Sequence, residues 1–175
     1  AENHPRILFT QNDFEKIAAE HTSYAALNTI HKIIINKANS TVGKADLKYE
    51  LSGKRLLSVS RDAMERILSC AYAYKTTGDR RYLTQAEHDI NTVCSFQDWN
   101  AAKHWLDVGE MASGVAMGYD WLYGELTDAT KSKVVSALKN FCFTPAQNRV
   151  WNLNFYESEG NWNQVCNGGI IAAAL

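Results

Sequence analysis

Proline occurs only twice in 175 residues, at Pro5 and Pro145, so most of the chain lacks the residue that most strongly interrupts a helix. No apolar run approaches the roughly 20 residues that span a bilayer; the longest is the closing Ile170-Ile171-Ala172-Ala173-Ala174-Leu175. Neither charge sign dominates. Eighteen Lys and Arg offset nineteen Asp and Glu to a net charge of -1, which excludes the broad basic field that gathers nucleic acid or a membrane surface. The expected partners therefore include no nucleic acid and no membrane, and any attraction to an acidic ligand must be local. The four cysteines, Cys70, Cys94, Cys142 and Cys166, form no CxxC pair, so they are read as buried thiols, with a disulfide as the alternative. The five histidines, His4, His21, His31, His88 and His104, show no metal-ligand spacing, and there is no Gly-rich phosphate loop, GxSxG elbow or Cys/His nucleophile pattern. No metal and no cofactor is expected.

A hydrophobic content of 46% with 11% aromatics supplies the apolar surface for one helical domain over residues 1–175. The periodicity is near 3.6 almost throughout. A first helix is expected after Thr10, capped by Asn12 or Asp13, then a second through Tyr24, Leu27, Ile30 and Ile34, and a loop from Gly43 to Gly53. The pattern resumes at Ser58 or Ser60 and stops at Thr76-Thr77-Gly78-Asp79, where Gly suits a helix C′ position, and a return helix follows. The stretch from Trp105 to Tyr119 is apolar and small on several sides (Ala112, Gly114, Ala116, Gly118), which predicts an inner helix packed between neighbours. An amphipathic helix from Thr127 or Asp128 should end near Thr144-Pro145. A polar, aromatic loop over 148–163 then leads to a last helix starting at Asn163 or Gln164. That helix reaches Leu175 without a terminating signal, which predicts a longer polypeptide. Paired helices of this kind make an all-α bundle, solenoid or toroid.

Two segments carry candidate chemistry. The run 151–164 concentrates Trp151, Tyr156, Asn161, Trp162, Asn163 and Gln164, and rings beside carboxamides are what a carbohydrate groove needs. Folding back as a satellite core, with Asn163 as a helix cap, is the structural alternative. The second segment holds His104, the one histidine singled out for function, with Asp107, Glu110 and Asp120. Asp107 and Glu110 share a helix face, yet carboxylates one turn apart lie too close and too parallel to flank a glycosidic bond, so hydrogen bonding is the expected role. Among Lys54, Arg55, Arg61, Arg66, Arg80 and Arg81, pairing with Asp62, Glu65 or Asp79 is the ordinary expectation, although Arg suits bidentate recognition of carboxylate or sulfate.

The blocks HPRILFTQNDFEKI, AYAYKTTGDRRYL, LDVGEMASGVAMGYDWLY and NWNQVCNGGIIAAAL resemble successive parts of the N-terminal helical domain of heparinase II/III-like polysaccharide lyases. The resemblance runs nearly end to end, and its first and last blocks weigh most. It implies part of an incomplete (α/α) toroid, a C-terminal β-sandwich domain beyond this sequence, a secreted or periplasmic location, and an acidic polysaccharide or oligosaccharide as partner. The reaction it implies is β-elimination at a uronic acid. Asn161 stands at the position of the Asn that neutralises the sugar carboxylate, and Trp162 stands where that family often has His. The Tyr used for proton transfer would lie beyond residue 175, so this piece alone is expected to be inactive. Trp162, Tyr156, Trp151, Asn163, Gln164 and His104 are the expected substrate contacts. An inverting glycoside hydrolase resting on Asp107, Glu110 or Asp120, and a non-catalytic glycan-binding scaffold, are the alternative readings.

Overall fold

The computed structural model describes residues 3–148 and 154–175. The fold is all-α: apart from one bridge between Ser52 and Arg55, every regular element among the described residues is helical. Helix α1 (Gln11–Glu20) starts with a capping box in which Thr10 Oγ1 accepts from the Asp13 amide and the Asp13 carboxylate accepts from the Thr10 amide. The cap is thus Thr10, one turn before Asp13, because a threonine followed three residues later by an acid satisfies two orphan amides at once. A short 3₁₀ turn leads into α2 (Ala25–Thr41), and residues 42–56 form the expected loop.

Helices α3 (Leu57–Thr77) and α4 (Arg80–Cys94) make the predicted hairpin. Gly78 ends α3 at φ 73°, the left-handed conformation that a side chain would strain, and the Asp79 carboxylate then caps α4 by accepting from the Arg81 amide at 2.9 Å. Helix α5 (Trp105–Leu122) is buried at 15 of its 18 positions, which makes it the inner element that its small, apolar sequence predicts. Helix α6 (Asp128–Ala137) continues through a π-helical stretch, Leu138–Phe143, into the short α7 (Thr144–Asn148). The expected stop at Pro145 therefore does not occur. The π stretch shifts the backbone ladder, so Pro145 falls in the first turn of a new segment, where its missing N–H costs little. A 3₁₀ turn at Asn154–Glu157 precedes α8 (Asn161–Ala174), which begins two residues earlier than expected, with Gly160 rather than Asn163 at the N-cap.

Two cores flank α5. One gathers α1, α2 and the ends of α3, α4 and α5 around Phe14, Tyr72 and Trp121. The other gathers α3, α4, α6 and α8 against the first half of α5, around Trp99, Trp105 and Met111. All four cysteines are free and buried, and burial pushes each thiol up to about 12. No helix among the described residues is long and apolar enough to cross a membrane.

Small residues let α5 sit this deeply. A Cβ built on Gly169 of α8 would lie 2.2 Å from the Gly109 carbonyl oxygen and 2.7 Å from its Cα, and one on Gly114 would lie 2.7 Å from Met64 Cα of α3. These are backbone approaches that no rotamer change relieves. Gly168, beside Gly169, has nothing within 4 Å of such a Cβ. Adjacent substitutions should therefore act in opposite directions. Gly169→Ala is expected to cost roughly 1–3 kcal/mol by overpacking, and Gly168→Ala to gain roughly 0.5–1 kcal/mol in a helix interior, both read as shifts of the thermal or denaturant midpoint.

Candidate functional site

The site is built on one buried carboxylate in the first turn of α5. Asp107 is 0% exposed. Its Oδ2 accepts from the Leu56 amide and from Asn100 Nδ2, both at 2.6 Å, and its Oδ1 lies 2.5 Å from His104 Nδ1. A carboxylate only accepts, so this arrangement requires the proton on Nδ1. Asn100 holds its place at φ 65° and also donates to the Lys54 carbonyl at 2.9 Å. Ser60 of α3 donates to the Asp107 carbonyl at 2.9 Å. Three segments, the loop before α3, the loop before α5 and α5 itself, thus meet at Asp107. Burying a carboxylate is tolerable only when its lone pairs are filled, as they are here.

His104 is the N-cap residue of α5 and is itself buried, and its Nε2 has no partner among the described residues. Its ring meets Trp162 edge to face, with centroids 5.0 Å apart and planes at 86°. The two residues singled out in separate sequence segments are therefore neighbours. Asn161, at the first position of α8, is exposed, and its side chain makes no hydrogen bond to another described residue. No side chain caps α8; the Asn163 amide donates to the Gly160 carbonyl at 3.2 Å, and the Asn161 and Trp162 amides have no acceptor among the described residues. Asn163 Nδ2 donates to the Tyr156 carbonyl at 3.0 Å, which ties the 3₁₀ turn to α8. Tyr156 is exposed and packs on Phe155, which is buried against Trp105. Tyr156 and Asn163 thus hold the turn in place beside Asn161 and Trp162. Trp151 lies outside the described residues.

Gln164 lies one turn along α8 from Asn161 and lines a separate cavity of about 430 Å³ with Arg61, Met64, Glu110, Ser113, Val165, Gly168 and Gly169. Arg61 pairs with Glu110 through two hydrogen bonds, Nε to Oε2 at 2.8 Å and Nη2 to Oε1 at 3.0 Å. Of the other basic residues, Arg66 pairs with Asp62 and Arg81 with Asp79 as expected, while Arg80 lies 4.0 Å from Glu125 and Glu65 pairs with Lys37 instead. Asp120, at the far end of α5, accepts from the Arg6 and Ile7 amides, both at 2.8 Å, and lies 2.5 Å from His4 Nδ1. Each of the three carboxylates considered for glycosidase chemistry is therefore engaged with protein donors. No group of three or more His, Cys, Asp or Glu able to hold a metal occurs among the described residues.

Among known proteins, no family model and no curated protein matches this chain.

The Asp107 hub and the His104–Asp107 pairing were hidden in the sequence, although a histidine three residues before an acid at a helix start is a readable signal of such a pair. The Arg61–Glu110 pair joins different helices, and no spacing rule announces it. Asp107→Asn would turn one acceptor into a donor facing donors. It is expected to cost about 3 kcal/mol, as does removing one partner from a buried charged network, and hence about 6–12 °C in Tm for a chain of this size. A calorimetric scan checks it.

Proposed function

We propose that this chain is the helical part of a polysaccharide lyase-like protein, an incomplete (α/α) toroid that binds a uronic-acid-containing glycan at the start of α8. The observation that carries the reading is the edge-to-face contact of His104 with Trp162. It sets an imidazole oriented by Asp107 beside an uncapped, carboxamide-bearing helix start.

The chemistry follows from what β-elimination needs. The proton at C5 of a uronate is too weakly acidic to leave unless the adjacent carboxylate is neutralised, which donors at that carboxylate accomplish. The Asn161 carboxamide and the backbone amides of Asn161 and Trp162 supply such donors. A base then takes the C5 proton, the electron pair forms the C4–C5 double bond, the C4–O4 bond breaks, and the departing oxygen takes a proton from an acid. His104, with its Nδ1–H directed to Asp107, keeps Nε2 as the proton acceptor and is the base this domain offers. The acid is the Tyr that the resemblance implies beyond residue 175. Trp162 offers an apolar ring face for the sugar, and Tyr156 a second aromatic surface nearby. Secretion or a periplasmic location fits a polymer substrate that does not enter the cell.

The glycoside hydrolase alternative loses support from the carboxylates. Asp107 and Asp120 are buried and already accept three contacts each, and Glu110 is held by Arg61. None stands ready to protonate a glycosidic oxygen or to activate a water.

The test is ultraviolet absorbance from the unsaturated uronate product, using the full-length protein on alginate, heparin, heparan and chondroitin. The expected result is a signal on one of these polymers, lowered roughly 100-fold or more in kcat by Asn161→Ala, the scale of losing one donor at a developing anion. Absence of the chromophore on every polymer would contradict the lyase reading. Glycan binding that persists without it would favour a non-catalytic scaffold.

A further inference from the structure

The cavity beside Gln164 contains a group that the lyase reading does not use. Arg61 projects from α3 with 60% of its side chain exposed, yet its guanidinium is fixed by the side chain of Glu110, which is 11% exposed. Glu110 accepts from Nε and from one N–H of Nη2. A guanidinium has five N–H donors arranged as two forks, one along Nε and Nη2 and one along Nη1 and Nη2. Glu110 occupies the first fork. Both N–H groups of Nη1 and the second of Nη2 have no acceptor among the described residues. Arg61 thus presents a second, pre-oriented fork at the edge of a cavity of about 430 Å³.

The rest of the wall suits a polar ligand of modest size. Gln164 carries a carboxamide, Ser113 a hydroxyl whose hydrogen is given to the Gly109 carbonyl at 2.8 Å, and Gly168 leaves open space where other residues would project. A fixed, charged fork in a cavity that also holds a carboxamide matches a planar or tetrahedral oxyanion flanked by hydroxyls. The cavity and the proposed site share helix α8. Asn161 and Gln164 are one turn apart, and Asn161 and Gly168 about 10 Å apart at 1.5 Å per residue.

We propose that Arg61, oriented by Glu110, is a specificity-determining residue that binds the carboxylate or sulfate of a second acidic sugar, one position along the same chain from the sugar at Asn161. The proposal rests on the glycan-binding reading above. It assigns to Glu110 a positioning role, which explains why a buried carboxylate on the inner helix is spent on a mostly exposed arginine.

The test is direct binding, followed by calorimetry, of defined oligosaccharides: an alginate tetrasaccharide carrying carboxylates only, a sulfated neutral oligosaccharide, and an uncharged cello-oligosaccharide. Arg61→Gln is expected to weaken the acidic ligand roughly 10- to 100-fold, the worth of a charge-assisted bidentate contact, and to leave the uncharged ligand within about twofold. Because Arg61→Gln leaves Glu110 buried and unpaired, the double variant Arg61→Gln/Glu110→Gln is measured beside it and is expected to show the same loss. Glu110→Gln alone, which frees the guanidinium from its clamp, should weaken acidic binding less than Arg61→Gln does. Preference for the carboxylate or the sulfate ligand in the wild-type protein names the oxyanion. If acidic oligosaccharides bind the wild type and the two Arg61 variants equally, the inference is overturned while the glycan-binding reading stands. If none binds the wild type, both fall.

Discussion

The carboxylate of Asp107 is the constraint on which this structure turns. It is cut off from water, and its oxygens face three donors contributed by two loops and one helix end. A buried charge of this kind is stabilising only as a complete set. Asn100 must therefore adopt its left-handed conformation, Leu56 must aim its amide inward, and His104 must carry its proton on Nδ1. Once those conditions hold, the imidazole is fixed in tautomer and in orientation. The ring is then held where it meets Trp162 edge to face.

The second constraint is steric. Helix α5 is flanked by α3 and α8 at distances that exclude a Cβ at Gly109, Gly114 and Gly169. These approaches bring the start of α8 over the start of α5, so Trp162 comes to lie beside the histidine at the N-cap of α5. The same packing sets α3 across from α8 and opens the cavity between Arg61 and Gln164. Polar anchoring and close packing thus converge on one end of the inner helix, and the candidate site lies where they meet.

Much of this was legible in the residues. The inner helix announced itself through Ala112, Gly114, Ala116 and Gly118, and the α3–α4 hairpin through Gly78 and Asp79, because helix periodicity and turn chemistry are local. The start of α8 was misplaced because Asn163 is an excellent cap in isolation. In the fold its side-chain Nδ2 instead donates to the Tyr156 carbonyl, and Gly160 takes the cap position. Pro145 misled for a related reason, since the π stretch before it offers a place for a missing N–H that no periodicity shows. The Leu56–Asp107 and Arg61–Glu110 contacts were out of reach because the partners lie about 50 residues apart in the chain. The residue types at the site could be named from sequence, but their mutual contacts depend on tertiary packing.

Taken together, the helical domain offers an oriented imidazole, an exposed carboxamide at an uncapped helix start and an aromatic ring within one small region. That combination is the ground for the proposal that it grips an acidic sugar and draws a proton from it. The most direct measurement is a ¹H–¹⁵N spectrum of the His104 and Trp162 side chains, recorded while a uronate oligosaccharide is titrated in. The account predicts a protonated His104 Nδ1 in the free protein, and joint shifts of the His104 and Trp162 signals that saturate with the ligand. A His104 protonated only on Nε2, or ligand-induced shifts confined to other parts of the molecule, would contradict it.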